Sequence, residues 1–166
     1  MIVVSDSSPL ITLARAQQLN LLREFYGQIT IPDEVHSEVI IAGAGLPGAE
    51  EVRTASWIQV QVTPVPHTGV KAACTGLGAG ERSAIYLALA VKADIILIDE
   101  QRARRAAKST GLMVAGSISI LERGAQLKKV ADLRSAYQSL LDQGIRFDQK
   151  LLEDSLAKLG LAKLKP

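Results

Sequence analysis

Apolar positions along the chain fall into short runs that switch between two periods. Ile2-Val3-Val4 is a β-branched run without polar interruption, which predicts a strand covered on both faces and ending at Asp6. Helical spacing follows over residues 8–16 and 19–26 (Leu10, Leu13, Ala14; Leu22, Phe25, Tyr26), and Gly27 stops the second segment. Residues 28–31 predict a second strand. Pro32 then opens a helix over 33–40, on which Glu34 and Glu38 share a face.

A turn-rich stretch, residues 43–48, leads to a short helix over 49–55, and 57–62 alternates with period two, as an edge strand would. Pro64, Pro66 and Gly69 predict a loop. A glycine-rich lead-in (Gly76, Gly78, Gly80) then enters an Ala/Leu-rich helix over 81–90. Residues 94–99 predict a strand ending in Asp99, followed by a basic helix over 100–110, a strand at 112–114 and a helix over 117–127. Two amphipathic helices, 131–143 and 148–159, complete the pattern.

Strands that alternate with helices predict an α/β domain with a mainly parallel central sheet. Right-handed crossovers place strand C-termini and helix N-termini on one edge of it. Asp6 and Asp99 end strands there, Glu81 begins the helix feeding the 94–99 strand, and Glu38 lies in the second turn of the helix after 28–31. Four carboxylates from distant segments are thus expected on one edge.

Composition narrows the class. A length of 166 residues suits one domain, residues 1–166, and 48% hydrophobic content with 4% aromatic residues predicts an aliphatic core. No apolar run reaches the about 18 residues of a membrane span, and the opening run meets an acid too early for a signal peptide, so a cytoplasmic protein without membrane association is expected. The lone Cys74 excludes an internal disulfide and a paired-thiolate zinc site. His36 and His67 lack metal-ligand spacing. Nor is the glycine stretch a phosphate loop: Glu81 occupies the place a dinucleotide fingerprint reserves for glycine, and no Gly-Lys pair follows.

Each acid has a simpler role open to it: Asp6 as a cap, Glu81 answering a helix dipole, Glu38 and Glu34 as solvated surface. Their convergence favours a shared hard cation, Mg2+ or Mn2+, and phosphoryl chemistry. Arg102, Arg104, Arg105 and Lys108 follow Asp99, with Lys128 and Lys129 later. Such a run is either a solvated face or a grip on a polynucleotide backbone. Other aspartate-dependent folds fit less well. Ser8 stands where a haloacid-dehalogenase-like phosphatase has its second acid, and the acid pair of a receiver domain is absent.

Val4-Ser5-Asp6-Ser7-Ser8-Pro9-Leu10-Ile11, Ile31 to Val39, Gly80-Glu81-Arg82-Ser83-Ala84-Ile85, Ile98-Asp99-Glu100 and Gly116 to Leu121 resemble, in order, the motifs of the PIN-domain superfamily, in a prokaryotic branch related to VapC-type toxins. The resemblance covers roughly residues 1–160 and implies a three-layer α/β/α fold, with helices over about 131–160 packing on the domain or forming an interaction surface. It implies a metal-dependent endoribonuclease of a toxin–antitoxin pair, with Asp6, Glu38, Glu81 and Asp99 holding Mg2+ or Mn2+ and a 5′-phosphate product. Glu81 replaces the more usual aspartate, and Glu100 is the candidate for a further metal ligand. Ser7, Arg102, Arg105 and Lys108 are the substrate-binding candidates, and RNA, a small cognate antitoxin and a second copy in a homodimer are the implied partners. The alternative is a catalytically weak or inactive PIN-like module that binds RNA or a protein partner.

Overall fold

Adjacent residues of a strand point to opposite faces, and the opening run uses both. Val3 joins one buried cluster with Leu97, whereas Val4 joins another with Ile96 and Ile98. In a computed structural model, which describes residues 1–164, these runs form β1 (Val3–Ser5), β2 (Ile29–Pro32), β3 (Ile58–Gln61), β4 (Ile95–Leu97) and β5 (Val114–Ala115). All pairings are parallel, in the order β3-β2-β1-β4-β5, with Val4 opposite Thr30 and Ser5 opposite Leu97. β1 is central. β3 is an edge, as its alternation predicts, with Val60 and Val62 exposed.

The helices are α1 (Ser7–Arg15), α2 (Asn20–Tyr26), α3 (Asp33–His36), α4 (Ala49–Thr54), α5 (Thr68–Ala73), α6 (Ala79–Ala90), α7 (Gln101–Ser109), α8 (Ser117–Gln126), α9 (Leu133–Asp142) and α10 (Gln149–Lys158). One layer packs Leu10, Leu22, Leu121, Tyr137 and Leu156 against the Val3 face. The other packs Ile85, Leu87, Ala103 and Ala107 of α6 and α7 against the Val4 face. The result is a three-layer α/β/α domain. Among the described residues no helix is long and apolar enough to cross a membrane.

Three local differences from the expected elements have physical reasons. α5 stands where a loop was expected: none of its residues is buried, so no apolar stripe signals it. The helix expected over 33–40 changes character at Ser37 and continues as a π-helix, Ser37–Ala42, which residue periodicity does not distinguish from an α-turn. β5 is two residues long, Val114–Ala115, and sits later than expected; Met113 only lends its carbonyl to the Ile96 amide at 2.9 Å as the chain enters the ladder.

Candidate active site

Asp6 follows β1 directly and inherits its central position, with its amide still bonded to the Leu97 carbonyl at 3.0 Å. The residue is 1% exposed. Its Oδ1 accepts the Ser7 hydroxyl at 3.3 Å, and no side-chain cap bond ties it to α1. Its Oδ2 is buried and has no hydrogen-bond partner among the described residues. Burial pushes the Asp6 carboxyl up to about 6, the neighbouring amides of Ser7 and Ser8 pull the other way, and the negative charges of Glu81 and Glu38 add to the rise.

Those two glutamates reach Asp6 from different elements. Glu38 lies in the π-helix, and its Oε1 accepts the Gly80 amide at 2.9 Å. A Cβ on Gly80 would stand 2.8 Å from the Glu38 carboxylate carbon, so the close approach depends on glycine. Glu81 occupies the third position of α6, where its Oε2 accepts the amide of the capping residue Gly78 at 2.9 Å. Glu81, expected at its simplest to answer the helix dipole, thus also closes the N-terminus of α6 through the Gly78 amide, alongside its field on Asp6.

Asp99, two residues beyond β4, is engaged separately. Its oxygens accept the Ser117 amide at 2.7 Å and the Ser117 hydroxyl at 2.9 Å, at the start of α8. Burial raises its carboxyl, against the opposing pull of Ser117, Arg104 and the Thr12 hydroxyl. Strand alternation accounts for this division. Asp6 continues the Val4 face towards α6, and Asp99 continues the Leu97 face towards α1 and α8. In this arrangement no group of three His, Cys, Asp or Glu side chains among the described residues is placed to hold one ion.

Asp99 borders two adjoining cavities. The larger, about 670 Å³, is lined by Ser7, Thr12 and Glu100 together with Arg146, Phe147, Asp148 and Leu151. The smaller, about 400 Å³, is lined by Arg104, Lys108, Glu122 and Lys158. Gln101, Phe147 and Leu151 also belong to both.

The other residues singled out in the sequence are distributed unevenly. Ser7 and Lys108 line cavities at this edge. Arg102 and Arg105 instead line a separate cavity of about 330 Å³ with Thr75 and Leu77, because they occupy a different flank of α7. Arg104 is the arginine facing Asp99, and its Nη1 donates to the Ile98 carbonyl at 2.7 Å. Glu100 caps α7 by accepting the Ala103 amide at 2.9 Å. Ser117 lies within the Gly116 to Leu121 motif but is not among the candidate site residues read from it, and Phe147 carries no comparable sequence signal.

With the fold and the acidic edge defined, comparison with known proteins is decisive at family level. The family model DUF3368, described as a PIN domain, matches residues 2–161. The chain belongs to the PIN-domain superfamily. No curated protein matches it. PIN domains are generally nucleases that use divalent metal ions, so this PIN domain sits within a nuclease superfamily.

Proposed function

We propose that this PIN domain is a Mg2+- or Mn2+-dependent endoribonuclease. The observation that carries the reading is Asp6, a buried carboxylate with one oxygen that has no donor among the described residues, set in the field of two further carboxylates. An all-oxygen donor set matches a hard cation, and an acceptor without a donor is what such a cation satisfies. Asp6 would hold the ion through that oxygen, and Glu38, Glu81 and Asp99, each bonded to an amide in the fold, are the further candidate ligands that would have to turn towards it. When bound, the metal supplies Lewis-acid polarisation of the phosphate and a more acidic water.

The chain's own groups do the rest. Arg104 and Lys108 bind phosphate oxygens beside Asp99, and Ser117 holds the Asp99 carboxylate in a fixed orientation. Water adds to phosphorus, the bond from phosphorus to O3′ breaks, and a proton passes to O3′, leaving a 5′-phosphate and a 3′-hydroxyl. The sequence resemblance to VapC-type toxins supports membership of a toxin–antitoxin pair, with a small antitoxin partner, a homodimeric assembly and a cytoplasmic site of action.

A second reading, a binding module without turnover, is favoured by one observation. Glu38 and Glu81 are turned to the Gly80 and Gly78 amides. RNA cleavage by purified protein with Mg2+ or Mn2+, in parallel with EDTA and with Asp6→Asn, separates the two. Cleavage that survives EDTA or the substitution sinks the metal mechanism, and RNA binding without cleavage under every condition selects the second reading.

A further inference from the structure

β3 leaves one side of the sheet open. On its inner side the Ile29 amide donates to the Trp57 carbonyl at 3.3 Å, and the parallel register then turns the backbone groups of Gln59 and Gln61 towards β2 as well. Alternate residues point the other way. The amide and carbonyl of Val60, the Ile58 carbonyl and the Val62 amide face outward, where no further strand pairs among the described residues. The Ile58 amide is already taken by the Ala55 carbonyl at 2.9 Å. Sheet edges are ordinarily blunted by charge, by proline or by shortness. β5, at the opposite edge, is two residues long. β3 has none of these defences: between Arg53 and Lys71 the chain carries no Asp, Glu, Lys or Arg, and its first proline after Trp57 is Pro64. Val60 is half exposed and Val62 more so.

We infer that β3 pairs antiparallel with β3 of a second copy of this chain, about a two-fold axis through Val60, so that the two sheets join into one. The run Ile58-Gln59-Val60-Gln61-Val62 selects that occupant, because its pattern reads alike in both directions: β-branched apolar residues alternate with glutamines around Val60. An isologous contact requires such self-complementarity. With the axis at Val60, the two Val60 residues exchange both backbone bonds, and each Val62 amide meets the carbonyl of the partner's Ile58. Ile58, Val60 and Val62 then form a continuous apolar row on the face that packs Ile58 against the core. Gln59 lies across from the partner's Gln61 on the opposite face. Pairing stops there, since Thr63 gives its amide to Asp33 at 3.0 Å and Pro64 has none to give. β2 separates β3 from β1, so the contact leaves Asp6 untouched and holds equally for a nuclease or a binding module.

The test is sedimentation velocity on the full chain over a dilution series. A contact of this small size predicts a monomer–dimer equilibrium that shifts with concentration in wild type. Val60→Lys sets like charges side by side on the axis, and Val60→Pro removes the outward amide, which the β2 ladder does not use. Each is expected to lose the dimer boundary at every concentration. Val60→Thr, which keeps the branched shape and the amide, is expected to retain it. Thermal unfolding of Val60→Lys is expected to match that of wild type diluted to monomer, which separates lost association from lost fold. Wild type that stays monomeric throughout overturns the inference and leaves the edge to a strand from another protein. A dimer that survives both Val60→Lys and Val60→Pro also overturns it and places the two-fold axis elsewhere. Neither result bears on the nuclease reading, which RNA cleavage tests by itself.

Discussion

The carboxylate of Asp99 takes both the amide hydrogen and the hydroxyl hydrogen of Ser117, at 2.7 and 2.9 Å. The tip of β4 is thereby fastened to the first residue of α8. Ser117→Ala removes the hydroxyl bond and leaves the amide bond, so a loss of about 1–2 kcal/mol is expected in urea unfolding. Under the nuclease reading, RNA cleavage should fall with it, and Ser117→Thr should restore both. Unchanged stability and cleavage in the alanine variant would show that the amide alone fixes Asp99.

Asp6 makes stability depend on pH in a definite direction. Its carboxyl titrates near 3.8 when unfolded and at about 6 in the fold, chiefly because of burial. The folded state therefore favours the protonated acid. That contribution is fully present below about pH 4 and is lost as pH rises through about 6, a change on the order of 3 kcal/mol. Asp6→Asn should abolish cleavage yet stabilise the fold at pH 7 and have little effect at pH 4. Denaturant unfolding at the two pH values checks this, and equal effects at both would contradict it.

If Asp6 is left ionised near neutral pH for a cation, the cation should restore what burial takes away. Added Mg2+ or Mn2+ is expected to raise the melting temperature of wild type at pH 7 in a concentration-dependent way. Asp6→Asn should respond far less, and EDTA should reverse the effect. Differential scanning fluorimetry with Ca2+ and Zn2+ in parallel reports on the preference for hard oxygen ligands.

Gly80→Ala tests the contact between α6 and Glu38. The added methyl would overlap the flexible end of the Glu38 side chain, which can move aside. Little loss of stability is expected, but the carboxylate leaves its position, and cleavage should drop by at least about tenfold, since small misplacements of a reacting constellation are costly. A cleavage rate at the wild-type level would remove Glu38 from the active arrangement.

Tyr137 and Ser155 share a buried hydrogen bond of 2.6 Å that fastens α9 to α10. Tyr137→Phe leaves a buried hydroxyl without its partner, at a cost of about 1–3 kcal/mol. A double-mutant cycle with Ser155→Ala should recover part of that loss in equilibrium unfolding. Additive losses would mean that the two groups do not couple.

The architecture was legible because strand and helix runs carry different periods. Ile2-Val3-Val4 and the 94–99 run announced central strands, and crossover handedness then put Asp6, Glu38, Glu81 and Asp99 on one edge. Their mutual arrangement was less legible, because it depends on which face each strand end continues and on amides that only the folded chain brings near. Gly80 and Gly78 looked like flexible lead-in residues. Their role as donors to Glu38 and Glu81 depends on the path of α6. Arg104 could be separated from Arg102 and Arg105 only once the orientation of α7 was known. Phe147 lies in a short link without periodicity, so nothing in its neighbours marks it.

The order of strands in the sheet also sets an order of events. β1 can pair with β2 once the first 32 residues exist, but its other neighbour, β4, begins only at residue 95. Closing that gap is a non-local step, and parallel pairings of this kind form slowly. During synthesis Asp6 therefore remains in water until α6 and β4 have emerged. A chain truncated before β4 carries the aspartate but lacks both the strand that flanks it and the Leu97 carbonyl that its amide bonds.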